Sequence, residues 1–299
     1  MTPQETISKL LRVIDSSVNQ FVKGLTPVQD QTYKKLLTLV KDLDIYVDGT
    51  LKNNLANIKV IGGLKSELEK IILNDNYLSQ VAEFTDTFNA VKNLQNEYFS
   101  TIAVKFSEKK VFNEIKKQAV NTTVEGLTES GIGAAYTDEI KQMLTTSITS
   151  GGSYADLTKQ LSNYVLGDSE TEGQLIKYGR QIATDSINQY SAQYTKAVTD
   201  DLGLTYFQYV GSLLTTSRPF CKEMVEKRYF HKTEVTDMLN GKIGDKKVPL
   251  GKDGLPQGMI SGTNEQTFFV NRGGYNCGHQ IFPVPLASVP EEIRAKFEN

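Results

Sequence analysis

The side chains able to do nucleophilic or metal chemistry are Cys221, His231, Cys277 and His279; they are the only cysteines and histidines of the chain, and all follow residue 220. Two thiolates and two imidazoles make a ligand set that tetrahedral zinc accepts, and Cys277-Gly-His279 would present two ligands from one turn. The spacing is less typical. Paired ligands in familiar zinc modules stand about two to five residues apart, and Cys221 and His231 are more widely separated. A second arrangement uses Cys221 as nucleophile, His279 as base and Asn276 as the orienting amide. A thiol needs a nearby cation or a helix N-terminus to become a thiolate, and Arg218-Pro219 just before Cys221 offers both. Nothing around it matches a protease elbow. In a third arrangement Cys277 is a small buried turn residue, and His231 and His279 are polar tips with backbone partners. The sequence leaves all three open.

Arg180, Arg218 and Arg272 accompany this set. A guanidinium fork satisfies a phosphate or a carboxylate such as Asp185 bidentately, and the same side chains can instead clamp backbone carbonyls to organise loops. Asn276, in Gly-Gly-Tyr-Asn, reads as a turn residue. Lys246, Lys247 and Lys252 form a basic cluster in a long Gly-rich stretch, which is either solvated or a contact for DNA.

The elements that must position these residues divide by texture. Before residue 125 helix breakers are rare: two prolines, Pro3 and Pro27, and four glycines, Gly24, Gly49, Gly62 and Gly63. Ile7, Leu10, Leu11, Ile14, Val18, Phe21 and Val22 recur at helical spacing, and Gly24 and Pro27 are expected to end that helix. Tyr33 to Leu43 and Ile58 to Ile72 carry further stripes. Val81, Phe84, Phe88, Val91, Leu94, Tyr98 and Ile102 approach a heptad seam, as in a long helix packed on a helical neighbour or on an oligomeric partner. From Val124 to Gly152 glycines interleave with Thr and Ser around one helix. Ser153 and Gly167 bracket the next, and Ser169 to Glu172 reads as a capping box ahead of a long helix ended by Gly203.

The period then changes. Leu204–Val210 is aromatic and β-branched, as a buried strand is. Pro219 opens a helix through about Lys227, and Thr233 caps another ending near Gly241. Residues 241–264 predict a long loop or β-excursion, Thr267–Val270 and Gln280–Val284 predict strands, and Pro290 opens a last helix. The expected fold class is predominantly helical α+β. It comprises a helical docking domain over 1–125, a Gly/Ser/Thr-rich transition over 126–152 and a small α+β domain with a few-stranded sheet and long loops over 153–299.

Composition bounds the function. With 299 residues, 39% hydrophobic and 23% charged, the chain can bury a core without staples. A net charge of −2 argues against a protein that coats nucleic acid over its whole surface. Two cysteines are too few for a disulfide scaffold and suit a reducing compartment. No signal-like start and no uninterrupted apolar run of membrane length is expected to direct or anchor it.

The order Tyr178-Gly-Arg-Gln-Ile-Ala-Thr-Asp-Ser-Ile-Asn-Gln-Tyr190, Gly203–Gly211, Thr216-Ser-Arg-Pro-Phe-Cys221 and Gly273-Gly-Tyr-Asn-Cys-Gly-His279 resembles the C-terminal domain of phage Mu F-like minor head proteins, the phage head morphogenesis family. The likeness covers about residues 150 to 285. Within it Arg180, Arg218, Asn276, Cys277 and His279 match signature positions. Gly278 stands where the family usually has Arg, and Tyr and Phe replace a strand Trp. The resemblance implies a low-copy structural head protein of the virion, in the head interior or in multiple copies at the portal vertex, acting in head assembly, DNA packaging or ejection, with the portal protein, other head proteins and packaged DNA as partners; no membrane partner is expected. It implies no catalytic residue; no cofactor is expected, with a structural zinc on the Cys and His set as the one candidate from the residues themselves. The alternative is a cysteine- or metal-dependent hydrolase or nuclease delivered with the genome. A polymorphic-toxin relative is not expected, because only Pro290–Asn299 follows the last strand and turn.

Overall fold

Where the apolar stripes are continuous they form helices, and the fold is predominantly helical α+β. A computed structural model describes residues 1–297. Its helices begin with α1 (Pro3–Val40), α2 (Leu55–Ile72), α3 (Asp75–Ile102) and α4 (Lys110–Leu127). A π-helical turn, Glu129–Gly133, leads into α5 (Ala134–Thr149), then α6 (Tyr154–Leu166) and α7 (Gln174–Leu202). After β1 (Tyr206–Val210) come α8 (Pro219–Lys227), β2 (Tyr229–His231), α9 (Val235–Leu239), β3 (Lys242–Ile243) and β4 (Lys246–Lys247). The chain finishes with α10 (Phe268–Asn271), β5 (Gln280–Pro283) and α11 (Glu291–Arg294).

Compactness groups these elements into two units interleaved in sequence, whereas texture suggests serial domains. A helical unit holds Ser16–Asp86 and Asn121–Ala183, and a sheet unit holds Met1–Asp15, Thr87–Val120 and Thr184–Asn299. In the helical unit α5 packs against α2 and α6, burying Leu64, Leu68, Tyr136, Ile140, Leu144 and Leu161. In the sheet unit β1 is the central strand, antiparallel to β2 on one side and β5 on the other. Its register places Tyr206 opposite His231 and Gln208 opposite Phe282.

Four expectations are corrected. The helix begun at Pro3 does not end at Gly24 and Pro27 but runs to Val40. Pro27 is exposed while Leu25 and Val28 are buried, so apolar burial on both sides offsets a kink cost of about 3 kcal/mol. Gly24 is there for closeness, since a Cβ on it would overlap the Gln80 side-chain amide. Thr267–Val270 is not a strand. Asn264 accepts from the backbone N–H groups of Gln266 and Thr267, and this local cap outweighs the β preference of the two phenylalanines. Asp168, rather than Ser169, collects the N–H groups of Glu170 and Thr171 before α7. The turn before α9 is capped by His231 rather than Thr233. Its Nδ1 accepts from the Thr233 N–H, and Glu234 accepts from the His231 N–H at 2.9 Å. The 241–264 stretch is the β-excursion, made of the β3–β4 ladder and a bridge between Leu250 and Pro256.

Candidate functional site

The site is assembled from three places in the sheet unit. Arg218 precedes α8, Pro219 takes its first position and Cys221 lies in its first turn. The turn from Gly273 to Gly278 carries Cys277 and leads through His279 into β5. Tyr209 on β1 lies between them.

Cys221 Sγ and Cys277 Sγ are 4.0 Å apart, and Cys277 Sγ is 3.6 Å from His279 Nδ1. The Tyr209 hydroxyl is 3.5 Å from the first sulfur and 3.8 Å from the second, and its ring stacks on His279 at 5.2 Å between centroids. Both cysteines and His279 are buried, and the sulfurs are free thiols. The two thiols are pushed in opposite directions. The hydrogen bond from Cys221 holds the Cys277 thiol low, with His279 and Arg272 adding to it against burial. The same bond, then burial, pushes Cys221 up. Burial also raises Tyr209 well above the phenol range, because a phenolate there would lose its solvation, and the two neighbouring sulfurs add to the rise.

Two glycines make this closeness possible. A Cβ at Gly273 would sit 2.3 Å from Cys221 Sγ and 2.9 Å from Cys277 Sγ. Gly211, at φ +146°, would place one 2.6 Å from the His279 ring. The backbone thus seals one side of the sulfurs and presses on the imidazole.

Over the sulfurs opens a cleft of about 270 Å³ lined in part by Asp15, Ser217, Arg218, Asn276 and Gly278. Asp15 and Asp185 both have carboxyl pKa values raised by burial; for Asp185 the Asn276 N–H and Arg272 oppose the rise.

The arginines separate. Arg218 Nη2 donates to the Tyr275 carbonyl at 2.8 Å, and Gly258 leaves room for its side chain. Arg272 is buried at φ +46°. Its Nη1 donates to the Asn188 carbonyl at 2.9 Å and to Gln280 Oε1 at 3.3 Å, and Gln280 Nε2 donates to Asn188 Oδ1 at 2.6 Å. Burial lowers its pKa, and the proximity of Cys277 opposes the fall. Both are therefore backbone clamps. Arg180 is engaged in a bidentate pair with Glu172, at 2.6 and 3.2 Å. Asn276, at φ +55°, donates its backbone N–H to Asp185 at 2.7 Å.

Of the four residues proposed from sequence as ligands, Cys221, Cys277 and His279 come together, their ligand atoms all within 4.8 Å. His231 is not among them. It caps the turn before α9, stacks on Phe297 and packs at a tilt against Tyr206. The nucleophile arrangement changes as well: His279 faces Cys277 rather than Cys221, and Asn276 acts through its backbone. The Lys246 ammonium is held by Glu223 and Glu226 at 2.9 and 2.6 Å, which leaves less free charge for a phosphate. Tyr209, Gly273, Asn188 and Gln280 fall within segments read from the sequence, but their roles at the site are not legible there, because each depends on a partner distant in the chain. Comparison of the chain with protein-family models, with curated proteins and with solved structures finds no match.

Proposed function

We propose that this chain is a minor head protein of a tailed bacteriophage, acting at the portal vertex in head assembly, DNA packaging or ejection. One observation supports this reading beyond the motif order itself. The segments that carry the likeness, distant in sequence, supply Asp185, Arg218, Cys221, Asn276, Cys277 and His279 to one cluster. In this reading the cluster is a structural hub that fixes the turn between Gly273 and His279 on the sheet. The portal protein and other head proteins are its partners, with packaged DNA nearby. No helix among the described residues is long and apolar enough to cross a membrane.

Mass spectrometry of purified heads and proheads from the phage that encodes the chain tests the proposal. Several copies per particle are expected, and absence from both sinks it. The cleft over Cys277 and His279 favours a second reading, a thiol- or metal-dependent hydrolase or nuclease delivered with the genome. Turnover of a peptide, ester or nucleic acid substrate by the purified chain, abolished in Cys277→Ala, would select it over the first.

A further inference from the structure

We infer that Cys221, Cys277 and His279 form a site for a thiophilic divalent cation of the zinc class, with three protein ligands and a fourth position facing the cleft. The inference stands apart from the head-protein proposal, since neither requires the other.

The donor set is the first argument. Two sulfurs and an imidazole nitrogen, with no carboxylate among them, suit zinc and discriminate against magnesium and calcium. Distance is the second. Zinc bonds of about 2.3 Å to sulfur and about 2.0 Å to nitrogen place tetrahedral ligands about 3.5–3.8 Å apart. The Cys221–Cys277 edge is 4.0 Å and the Cys277–His279 edge is 3.6 Å, with the third no longer than 4.8 Å. Closing the set onto an ion thus needs movements well under the length of a side chain.

The third argument is what surrounds the ligands. The sulfurs are already converged by packing that excludes every side chain from residue 273. The turn bearing two of the ligands is tied at Tyr275 by Arg218 and at Asn276 by Asp185. The Tyr209 hydroxyl stands where it can donate to thiolates without displacing one, the kind of outer contact that holds metal ligands in place. All three ligands also line the cleft, which gives an ion an entry path and room for water or another exogenous ligand.

Elemental analysis of the full-length chain, purified without a histidine tag and exposed to zinc, tests the site. About one zinc per chain is expected, as for a site with a single tetrahedral ion. Cys221→Ser, Cys277→Ser and His279→Gln should lose it, and His231→Gln should keep it. Replacing zinc by cobalt should give the near-ultraviolet thiolate charge-transfer absorption and strong visible bands of tetrahedral coordination. If a cysteine variant fails to fold, the cobalt spectrum of the unaltered chain decides alone. Three results overturn the assignment: a folded chain that takes up no zinc and shows no thiolate–cobalt absorption, zinc retained in both folded cysteine variants, or an intact mass lower by two hydrogens, which marks a disulfide.

Discussion

The helical unit and the sheet unit differ in how far their buried polar groups are woven into networks. In the helical unit several buried polar side chains bond close by in sequence: Thr32 donates to the Val28 carbonyl, Thr137 to that of Gly133, and Asn57 ties the loop from Asp44 to Lys52, while Tyr77 and Gln29 reach further, to the Leu127 and Leu166 carbonyls. Most of the rest of its interior is apolar helix against apolar helix. In the sheet unit the buried polar groups reach across long stretches of chain. The Gln95 amide donates to the Ser191 carbonyl and to Thr195, and Arg272, Gln280 and Asn188 close a network under the cysteine pair. The first unit tolerates apolar exchange because its specification is mostly volume and period. The second depends on donor–acceptor matching, which leaves little room for exchange.

That contrast can be broken by stability measurements. The largest loss is expected for Leu144→Ala in the helical unit, about 2–5 kcal/mol from the cavity left at a fully buried site, while Leu144→Met should cost less than about 1.5 kcal/mol. Gln280→Met in the sheet unit conserves volume in the same way, yet should cost about 1–3 kcal/mol because it strands Asn188 and Arg272. Denaturant unfolding of the two Met variants is the decisive pair: equal costs would erase the distinction. Ser153→Ala removes the oxygen that accepts the Asp156 N–H at the start of α6, for about 1 kcal/mol.

Smaller still is a pH effect at His231. Burial lowers its pKa below the usual 6.5, so the contribution of its neutral ring is present above that value and is lost as the pH falls through the folded-state pKa. Thermal melts from pH 8 down to about pH 5 should show a shallow acid-side loss that His231→Asn removes, since Asn keeps the cap without titrating there. Lys246→Ala is expected to leave the melting temperature unchanged, because its ion pairs with Glu223 and Glu226 are exposed.

The same contrast explains what could be read in advance. Helical stripes such as Ile61, Leu64, Leu68 and Ile72, and caps such as Ser153, are local patterns and were legible. So were β1, β5 and α8, whose signals lie in a few consecutive residues. Legibility failed where a local signal met a distant one. Pro27 reads as a stop, but burial around it carries the helix on. The two phenylalanines read as a strand until Asn264 caps them into α10. At the site, the meeting of Cys221 with the Cys277–His279 turn follows from where the motifs fall. The exclusion of His231 does not, because it rests on a capping role and on stacking with Phe297, which no spacing rule contains.

The interleaving of the two units also bears on how the chain can be dissected and made. A gene fragment beginning at Ser153 would encode every strand of the three-stranded sheet and all three candidate ligands, yet lack Met1–Asp15 and Thr87–Val120 of the same unit. It would lose the Gln95 amide, leaving the Ser191 carbonyl and Thr195 hydroxyl without their donor. On the ribosome the sheet unit must likewise wait for residues at the C-terminal end before it closes around helices made long before. Those early helices have to keep their apolar faces from aggregating through most of synthesis.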